Sequence, residues 1–288
     1  METSSKIVIV TGSNKGIGYA LMQRLVKHAP RLTLVLTSRD ESLGKEAVNN
    51  LIKEEPKCKD SLHYHPLDIT NKVSRDKFKE WVQQTFGKFD VLVNNAGALV
   101  SGELYNPEYI ATTDDVEKVI GTNYHSTRAL TETLLPLLAS DGKIISVSSA
   151  LAAWNRQGEP LLKIFTKPDF EDKNLEEIYT LFKEAVAAKD YKEKGFVKSP
   201  YMVSKALLNA WTYYVLQRSL SGDQQAFTMT PGHCRTDMGG DKALRSADDG
   251  ADTIEYLIVD VPFKFDKEIS GKFFAERKVV DFVEGINL

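Results

Sequence analysis

The stretch that decides the fold lies near the start of the 288-residue chain: KIVIV at residues 6–10, followed directly by TGSNKGIG at residues 11–18. The short apolar run of β-branched residues predicts a buried strand, and the turn after it opens a helix. Gly12 permits a tight turn, Gly16 lets the backbone approach a diphosphate, and Gly18 lets the helix pack closely on the sheet. The spacing differs from the GxGxxG fingerprint of dinucleotide sites, so a ligand-free strand-to-helix turn is the alternative interpretation.

The rest of the chain repeats this alternation of strand and helix. Strands are predicted at residues 6–10, 32–37, 62–66, 89–93, 143–147, 226–230 and 271–275. Helices are predicted at residues 17–28, 42–54, 71–86, 114–138, 200–220 and 247–257. Continuous apolar strands separated by helices indicate parallel strands that are buried on both faces. The pattern predicts one α/β domain over residues 1–288, a doubly wound parallel sheet of the Rossmann type.

One segment interrupts the alternation, between the strand that ends at Val147 and the helix that begins at Pro200. The residues Asn174-Leu-Glu-Glu177 resemble the start of a helix with a capping box. Apolar residues then recur at helical spacing: Leu175, Ile178, Leu181, Phe182, Ala185 and Val186. We therefore predict a helical insertion at residues 155–198, ahead of the helix at residue 200.

Composition excludes several classes of partner. The chain has 37 Lys and Arg against 40 Asp and Glu, a net charge of −3, which gives no basic surface for nucleic acid. Its two cysteines, Cys58 and Cys234, suggest neither a disulfide framework nor a metal site. No apolar run is long enough to span a membrane, and no targeting signal is evident. We expect a cytoplasmic protein without metal, membrane or nucleic-acid partners.

The end of the second predicted strand bears on the choice of nucleotide. An acid at this position would bind both ribose hydroxyls and repel a 2′-phosphate. The chain has Ser38 there, followed by Arg39, whose guanidinium can pair with a phosphate. Lys15 in the glycine turn could add a second positive charge. The pattern favours NADP(H) over NAD, although Asp40 would argue for NAD if the register shifted by two residues.

Three further groups of residues suggest proton chemistry. Tyr201 and Lys205 are four apart on a predicted helix and share a face, so the ammonium would lower the phenol pKa from its usual value of about 10. Ser148 and Ser149 follow a central strand, where ligands of open α/β sheets bind. The sequence NNAG at residues 94–97 ends another strand. Taken singly, each group is equally typical of helix surfaces or turns.

Taken together and in order, the motifs resemble the short-chain dehydrogenase/reductase family over essentially the whole chain. The matching motifs are TGSNKGIG (11–18), LDI (67–69), NNAG (94–97), TNY (122–124), VSS (147–149), YMVSK (201–205) and PGHCRTDM (231–238). Lys15, Arg39 and the insertion are most similar to the monomeric NADPH-dependent carbonyl reductases.

The resemblance implies a catalytic role for four residues. Tyr201 would be the general acid for carbonyl reduction, and Lys205 would assist it and hold the cofactor ribose. Ser149 would orient and polarise the carbonyl group. Asn123 would hold a water molecule that links Lys205 to solvent.

The resemblance also implies a set of cofactor contacts. Asp68 would accept a hydrogen bond from the adenine amino group, with Ile69 beside the ring, and Cys234 and Thr236 would contact the nicotinamide carboxamide. Cys234 is expected to be a small buried side chain and not a reactive thiol. The residues expected to contact NADP(H) are Gly12, Asn14, Lys15, Gly16, Ile17, Gly18, Arg39, Asp68, Ile69, Asn95, Gly97, Asn123, Tyr201, Lys205, Cys234 and Thr236.

The function that follows is reduction of a small-molecule carbonyl substrate, an aldehyde, ketone or quinone, by NADPH. The alternatives are a non-enzymatic NADP(H)-binding sensor on the same fold, an NAD-dependent alcohol dehydrogenase, and a methyltransferase with another glycine turn. Most family members pair through helices that correspond to residues 114–138 and 200–220. The insertion helix at residues 175–186 could cover that surface, so we predict a monomer.

Overall fold

The strands assemble into one eight-stranded sheet. The computed structural model describes residues 5–104 and 106–285. The strands are β1 (Ile7–Val10), β2 (Thr33–Ser38), β3 (Leu62–Pro66), β4 (Phe89–Asn94), β5 (Leu138–Val147), β6 (Gln225–Thr230), β7 (Phe273–Ala275) and β8 (Lys278–Val280). Their order across the sheet is β3-β2-β1-β4-β5-β6-β7-β8. Neighbours are parallel from β3 to β7, and only the edge strand β8 is antiparallel within this part of the chain. The predicted doubly wound α/β fold is confirmed.

Helices cover both faces of the sheet. They are α1 (Gly16–His28), α2 (Glu41–Glu54), α3 (Lys72–Phe86), α4 (Thr113–Ile120), α5 (Thr127–Leu134), α6 (Glu159–Phe165), α7 (Asp172–Ala188), α8 (Pro200–Ala210), α9 (Gln217–Ser219) and α10 (Ala247–Val259). A π-helical turn, Gly121–Ser126, joins α4 to α5, and a second, Trp211–Leu216, joins α8 to α9.

Alternate residues of the strands pack into two separate hydrophobic cores, one on each face of the sheet. On β1, Val8 and Val10 pack in one core with α1 and α10, whereas Ile9 packs in the other with α4, α5 and α8. All three side chains are fully buried. Burial on both faces explains why these strands are continuous apolar runs.

One expectation about the elements was wrong, and two elements were not predicted. The helix predicted at residues 114–138 ends at Leu134, because Pro136 lies in a 3₁₀ turn that leads directly into β5. Helix α6 and strand β8 were not predicted. They have seven and three residues, too few to show a hydrophobic period.

The insertion is helical, as predicted, but α7 begins earlier than its sequence suggested. The N-cap is Glu171, and Asn174 is the third helical residue, whose amide oxygen accepts a hydrogen bond from the Glu171 backbone N–H. Helix α7 packs against α4, α8 and the second π-helical turn. Ion pairs join it to α5 through Arg128 and Asp172, and to α4 through Lys183 and Glu117 at 2.8 Å. Within the described residues, no helix has the length and apolarity to cross a membrane.

Candidate active site

The glycine-rich turn after β1 has the conformation that the sequence predicted. Gly12 and Gly16 have φ angles of 59° and 60°, in the left-handed region that favours glycine. A Cβ atom at Gly18 would lie 2.5 Å from Asn95 Nδ2 and 2.8 Å from the Gly12 carbonyl oxygen. Helix α1 therefore starts close against the turn. Backbone of this kind can approach a diphosphate, so the turn fits a dinucleotide.

Asn95 fixes this turn from the neighbouring strand. Its Nδ2 donates to the carbonyl oxygens of Thr11 at 2.9 Å and Gly12 at 3.0 Å, and its backbone N–H donates to Thr11 Oγ1. The side chain of Asn95 thus holds the ends of β1 and β4 together. Asn95 therefore shapes the turn, and its expected contact with the nucleotide stays a prediction.

The end of β2 presents one charged side chain that is available to a ligand. Ser38 is buried, donates to the Asp40 carbonyl oxygen and shares a hydrogen bond with the hydroxyl group of Tyr64. Asp40 is the N-cap of α2, and its Oδ1 accepts from Leu43 N at 2.9 Å. Arg39 is exposed and forms no ion pair within residues 5–104 and 106–285. This arrangement fits a 2′-phosphate better than two ribose hydroxyls.

Lys15 lies in the glycine turn, as the sequence predicted, but its side chain is paired with an acid. Its Nζ pairs with Asp237 Oδ2 at 2.6 Å, and both side chains are largely exposed. Lys15 lowers the pKa of Asp237 by hydrogen bonding and by charge. The pair joins the glycine turn to the segment after β6.

Asp68 and Ile69 differ in their availability to an adenine ring. Asp68 Oδ1 accepts from the backbone N–H and the hydroxyl of Thr70, whereas its Oδ2 makes no hydrogen bond in the described part of the chain. The Ile69 side chain is only 6% exposed and packs in the core with Phe78. The carboxylate can therefore accept a further hydrogen bond, but little of Ile69 is left to contact a ring.

The structure brings Tyr201 and Lys205 together in the first turns of α8. Lys205 Nζ lies 5.7 Å from the centroid of the Tyr201 ring and donates to the Val147 carbonyl oxygen at 2.8 Å. Both side chains are buried. Burial lowers the pKa of Lys205 from its ordinary value to about 8. The lysine remains mostly protonated at neutral pH and faces the carboxyl end of β5.

Ser149 lies two residues beyond Val147, at the same end of β5. Its Oγ accepts from Leu151 N at 3.2 Å, and the side chain is half-buried. Ser148 has a different role, because its Oγ donates to the Lys205 carbonyl oxygen at 3.3 Å and so ties β5 to α8. Of the two serines, Ser149 keeps its hydroxyl proton for a ligand.

Asn123 lies in the first π-helical turn and is almost fully buried. Its Nδ2 donates to the Ala98 carbonyl oxygen and to Ser204 Oγ, and its Oδ1 accepts from Ala98 N at 2.7 Å. A Cβ atom built at Gly97 would be 3.2 Å from that Oδ1 and 3.7 Å from Lys205 Nζ. Asn123 thus anchors the segment after β4 beside Lys205.

Cys234 and Thr236 follow β6. Cys234 is 4% exposed, its Sγ donates to the Pro231 carbonyl oxygen, and burial raises its thiol pKa. The Sγ atom points at Gly250 in α10, where a Cβ atom would lie only 2.5 Å away. Thr236 faces Gly16, its Cγ2 being 3.5 Å from a Cβ atom built there. Cys234 is the small buried side chain that the sequence suggested, and Thr236 is placed over the nucleotide turn.

One residue near the site was missed at the sequence level. Glu103 is fully buried beside the start of α8, where its carboxylate accepts a hydrogen bond from Tyr201 N. It lies outside every recognised motif, and a single acid in a polar loop gives no periodic signal. The described residues contain no group of three or more His, Cys, Asp or Glu suited to a metal ion.

Comparison with known proteins assigns the class. Residues 6–160 match the family model for short chain dehydrogenases, and the chain belongs to that family. Carbonyl reductase (NADPH) 1 of Bos taurus is 30% identical over 98% of this chain and 100% of its own length. The (+)-neomenthol dehydrogenase of Arabidopsis thaliana is 30% identical over 98% and 99%. The structure of salutaridine reductase from Papaver somniferum superposes with a TM-score of 0.80 at 26% identity, covering 93% of this chain and 99% of that one.

Proposed function

We propose that the protein reduces the carbonyl group of small-molecule aldehydes, ketones or quinones with NADPH as the reductant. The observation that carries the proposal is the juxtaposition of Tyr201 and Lys205 at the end of β5, next to Ser149 and the Gly97 segment. The similarity to carbonyl reductase (NADPH) 1 over the full length of both chains supports the same activity.

Arg39, the glycine turn, Asp68 and Thr236 would hold the nucleotide. When bound, NADPH supplies the hydride that reduces the carbonyl carbon. Arg39 would select the 2′-phosphate, because Asp40 is engaged as a helix cap and offers no acid to the ribose. This arrangement disfavours an NAD-dependent alcohol dehydrogenase.

Tyr201 would donate the proton that the carbonyl oxygen acquires. A phenol is a weak acid, so the phenolate left behind needs a nearby positive charge. The Lys205 ammonium supplies that charge from a buried position, where solvent screens it little. Its bond to the Val147 carbonyl oxygen fixes the ammonium on the side of the sheet where the phenol lies.

Ser149 would orient the substrate. Because its Oγ already accepts a hydrogen bond from Leu151 N, its own proton is directed elsewhere and can be donated to the substrate oxygen. Asn123 holds Ala98 and Ser204 in place, and a water molecule would have to lie next to it to reach Lys205. A water molecule there would return a proton to the lysine and phenol after each turnover.

The Tyr201→Phe variant tests this assignment. We expect kcat for carbonyl reduction to fall by about 10²–10⁴-fold, because only the proton donor is removed. The dissociation constant for NADPH, measured by fluorescence titration, should change little. Tyr213→Phe is the matched control, since Tyr213 is 37% exposed and packs against Trp154 and Tyr214. Undiminished turnover in Tyr201→Phe would refute the role of the phenol.

Following absorbance at 340 nm with a panel of carbonyl compounds separates the enzyme from a sensor. A sensor would bind NADPH and oxidise none of it with any compound. The retention of Ser149, Tyr201 and Lys205 in one place argues for turnover, because a sensor needs none of them.

We also propose that the protein is a cytoplasmic monomer, one domain with residues 155–198 as an insertion. Support for the monomer comes from α7, whose buried apolar face packs on α4 and α8. By the family resemblance, α4 and α8 belong to the surface through which most members of the family form dimers. Sedimentation at micromolar concentration should give one species of 32.2 kDa, and a stable dimer would contradict the proposal.

A further inference from the structure

Glu103 is a buried carboxylate without a cationic partner in the described part of the chain. It is 0% exposed and lies in the segment between β4 and α4. Its Oε1 accepts from Ser199 Oγ at 2.8 Å and from Tyr201 N, and its Oε2 accepts from Val100 N at 3.3 Å. Burial raises the pKa of this carboxyl group above its ordinary value.

These contacts complete the hydrogen bonding at the start of α8. The first N–H groups of a helix have no partner within the helix. Pro200 has no N–H, Met202 N donates to Ser199 Oγ, and Val203 N donates to the Ser199 carbonyl oxygen. Tyr201 N is the remaining donor, and Glu103 accepts from it. A carboxylate is also favoured there by the helix dipole.

The same contacts fix the segment after β4 onto α8. Lys198 Nζ donates to the Asn106 carbonyl oxygen at 3.0 Å, and Asn123 joins Ala98 to Ser204. Asn123 thus attaches the beginning of the segment to α8, and Glu103 and Lys198 attach its later residues. It follows the carboxyl end of β4, the edge of the sheet that carries the active site.

The stability of the fold does not explain why a charged residue lies at position 103. Burying a carboxylate costs free energy that neighbouring dipoles only partly offset, and Ser199 already caps the helix. A glutamine would keep an acceptor oxygen for Tyr201 N without the charge, and would lose only the hydrogen bond from Val100 N.

We propose that Glu103 is a positioning residue for the reduction, which holds the backbone of Tyr201 and the β4–α4 segment in one arrangement over the substrate. The inference rests on the proposed function. Glu103 acts through the Tyr201 backbone N–H and touches neither the glycine turn nor Arg39.

The Glu103→Ala variant removes the acceptor. We expect kcat to fall about 10- to 100-fold, because a small misplacement of the proton donor slows reaction steeply. The dissociation constant for NADPH should stay within about twofold, since the nucleotide-binding residues are untouched. The Glu103→Gln variant keeps an acceptor oxygen and should recover most of kcat. A Gln variant as slow as the Ala variant would overturn positioning by this hydrogen bond.

Glu117→Ala is the matched control, because Glu117 is an exposed acid on α4 that pairs with Lys183 and is absent from the contacts at the start of α8. It should retain full kcat. If Glu103→Ala fails to fold, Glu103→Asp serves instead, since it keeps the charge and withdraws the acceptor by one methylene. Full activity in the folded Ala or Asp variant would refute the proposal.

Amide hydrogen exchange tests the role of Glu103 without measuring catalysis, so its result does not depend on the proposed function. In Glu103→Ala, exchange over residues 201–206 should become at least several-fold faster, while exchange in α10 stays unchanged. If the wild-type protein reduced no carbonyl compound, the proposed function would be wrong. The exchange rates would still show whether the hydrogen bond between Glu103 and Tyr201 N holds the start of α8. Unchanged exchange at residues 201–206 would show that Glu103 does not hold the helix start.

Discussion

Replacing Arg39 by alanine should weaken NADPH binding far more than NADH binding. Arg39 follows β2, is exposed and has no carboxylate partner in the described chain, so its guanidinium can engage a phosphate without first breaking an ion pair. Hydrogen bonds between charged groups contribute about 1.5–3 kcal/mol. Allowing for screening at an exposed site, a loss of about 1–2 kcal/mol corresponds to a roughly 5- to 30-fold rise in the NADPH dissociation constant.

Titration with both nucleotides at two ionic strengths provides the measurement. NADH lacks the 2′-phosphate, so its affinity should be nearly unchanged by Arg39→Ala. In the wild-type protein, the ratio of the NADH to the NADPH dissociation constant should fall as salt is added, because salt screens exposed charges. Equal losses for both nucleotides would refute the assignment of Arg39 to the phosphate.

Lys15→Ala is the informative companion variant. Lys15 already pairs with Asp237 at 2.6 Å, and exposed ion pairs are worth only about 0–1 kcal/mol. Binding of a phosphate near Lys15 would have to compete with that pair. We expect a smaller loss of NADPH affinity than for Arg39→Ala. A larger loss would place the 2′-phosphate beside the glycine turn instead.

Two further substitutions test the nucleotide turn and the sheet. Gly18→Ala would press a Cβ atom against Asn95 and Gly12, so we expect about 1–3 kcal/mol of destabilisation with at least tenfold weaker NADPH binding, whereas Gly121→Ala has open space and should change neither. Calorimetry with and without nucleotide would measure both effects, and a fully stable Gly18→Ala that binds normally would contradict the packing argument. Lys143 donates to three carbonyl oxygens at the end of α10, and burial lowers its pKa to about 7. Between pH 7 and its ordinary value of 10.5 the unfolded chain binds the extra proton, so this lysine adds stability as pH rises. The difference in unfolding free energy between wild type and Lys143→Met should therefore grow by about 2 kcal/mol from pH 7 to 9 in denaturant titrations, and a constant or shrinking difference would refute the shift.

The fold could be predicted from the sequence because its main strands are buried on both faces. Runs such as residues 7–10 and 91–93 are continuously apolar, and the helices between them are long enough to show a period. What escaped prediction was short or irregular. The π-helical turn at residues 121–126 and the 3₁₀ turn at Pro136 arise from local packing and ring geometry, so no hydrophobic period marks where the helix from residue 113 ends.

For the candidate site, the sequence could predict only the residues that belong to recognisable motifs. Tyr201, Lys205 and Ser149 could be named from the order of the family motifs, since their spacing alone is weak evidence. The partners that hold them could not, because Val147 contributes only a carbonyl oxygen and Glu103 comes from a loop of mixed composition. The partner of Lys15 could not be named for the same reason. A positive charge in a turn shows no sign of the acid that reaches it from 222 positions away.

The arrangement around α8 explains why a weak motif becomes a defined site. Four residues of spacing bring a tyrosine and a lysine to one face of any helix, but they leave the helix free to slide along the sheet. Here the carbonyl oxygen of Val147 holds Lys205, and Ser148 holds the backbone at the same residue. Asn123 meets the same helix one residue earlier, at Ser204. Since these attachments come from β5 and from the π-helical turn, a shift of α8 by one residue would break all of them together. The position of the phenol is therefore set by the sheet, and the spacing of Tyr201 and Lys205 only ensures that both groups reach the same place.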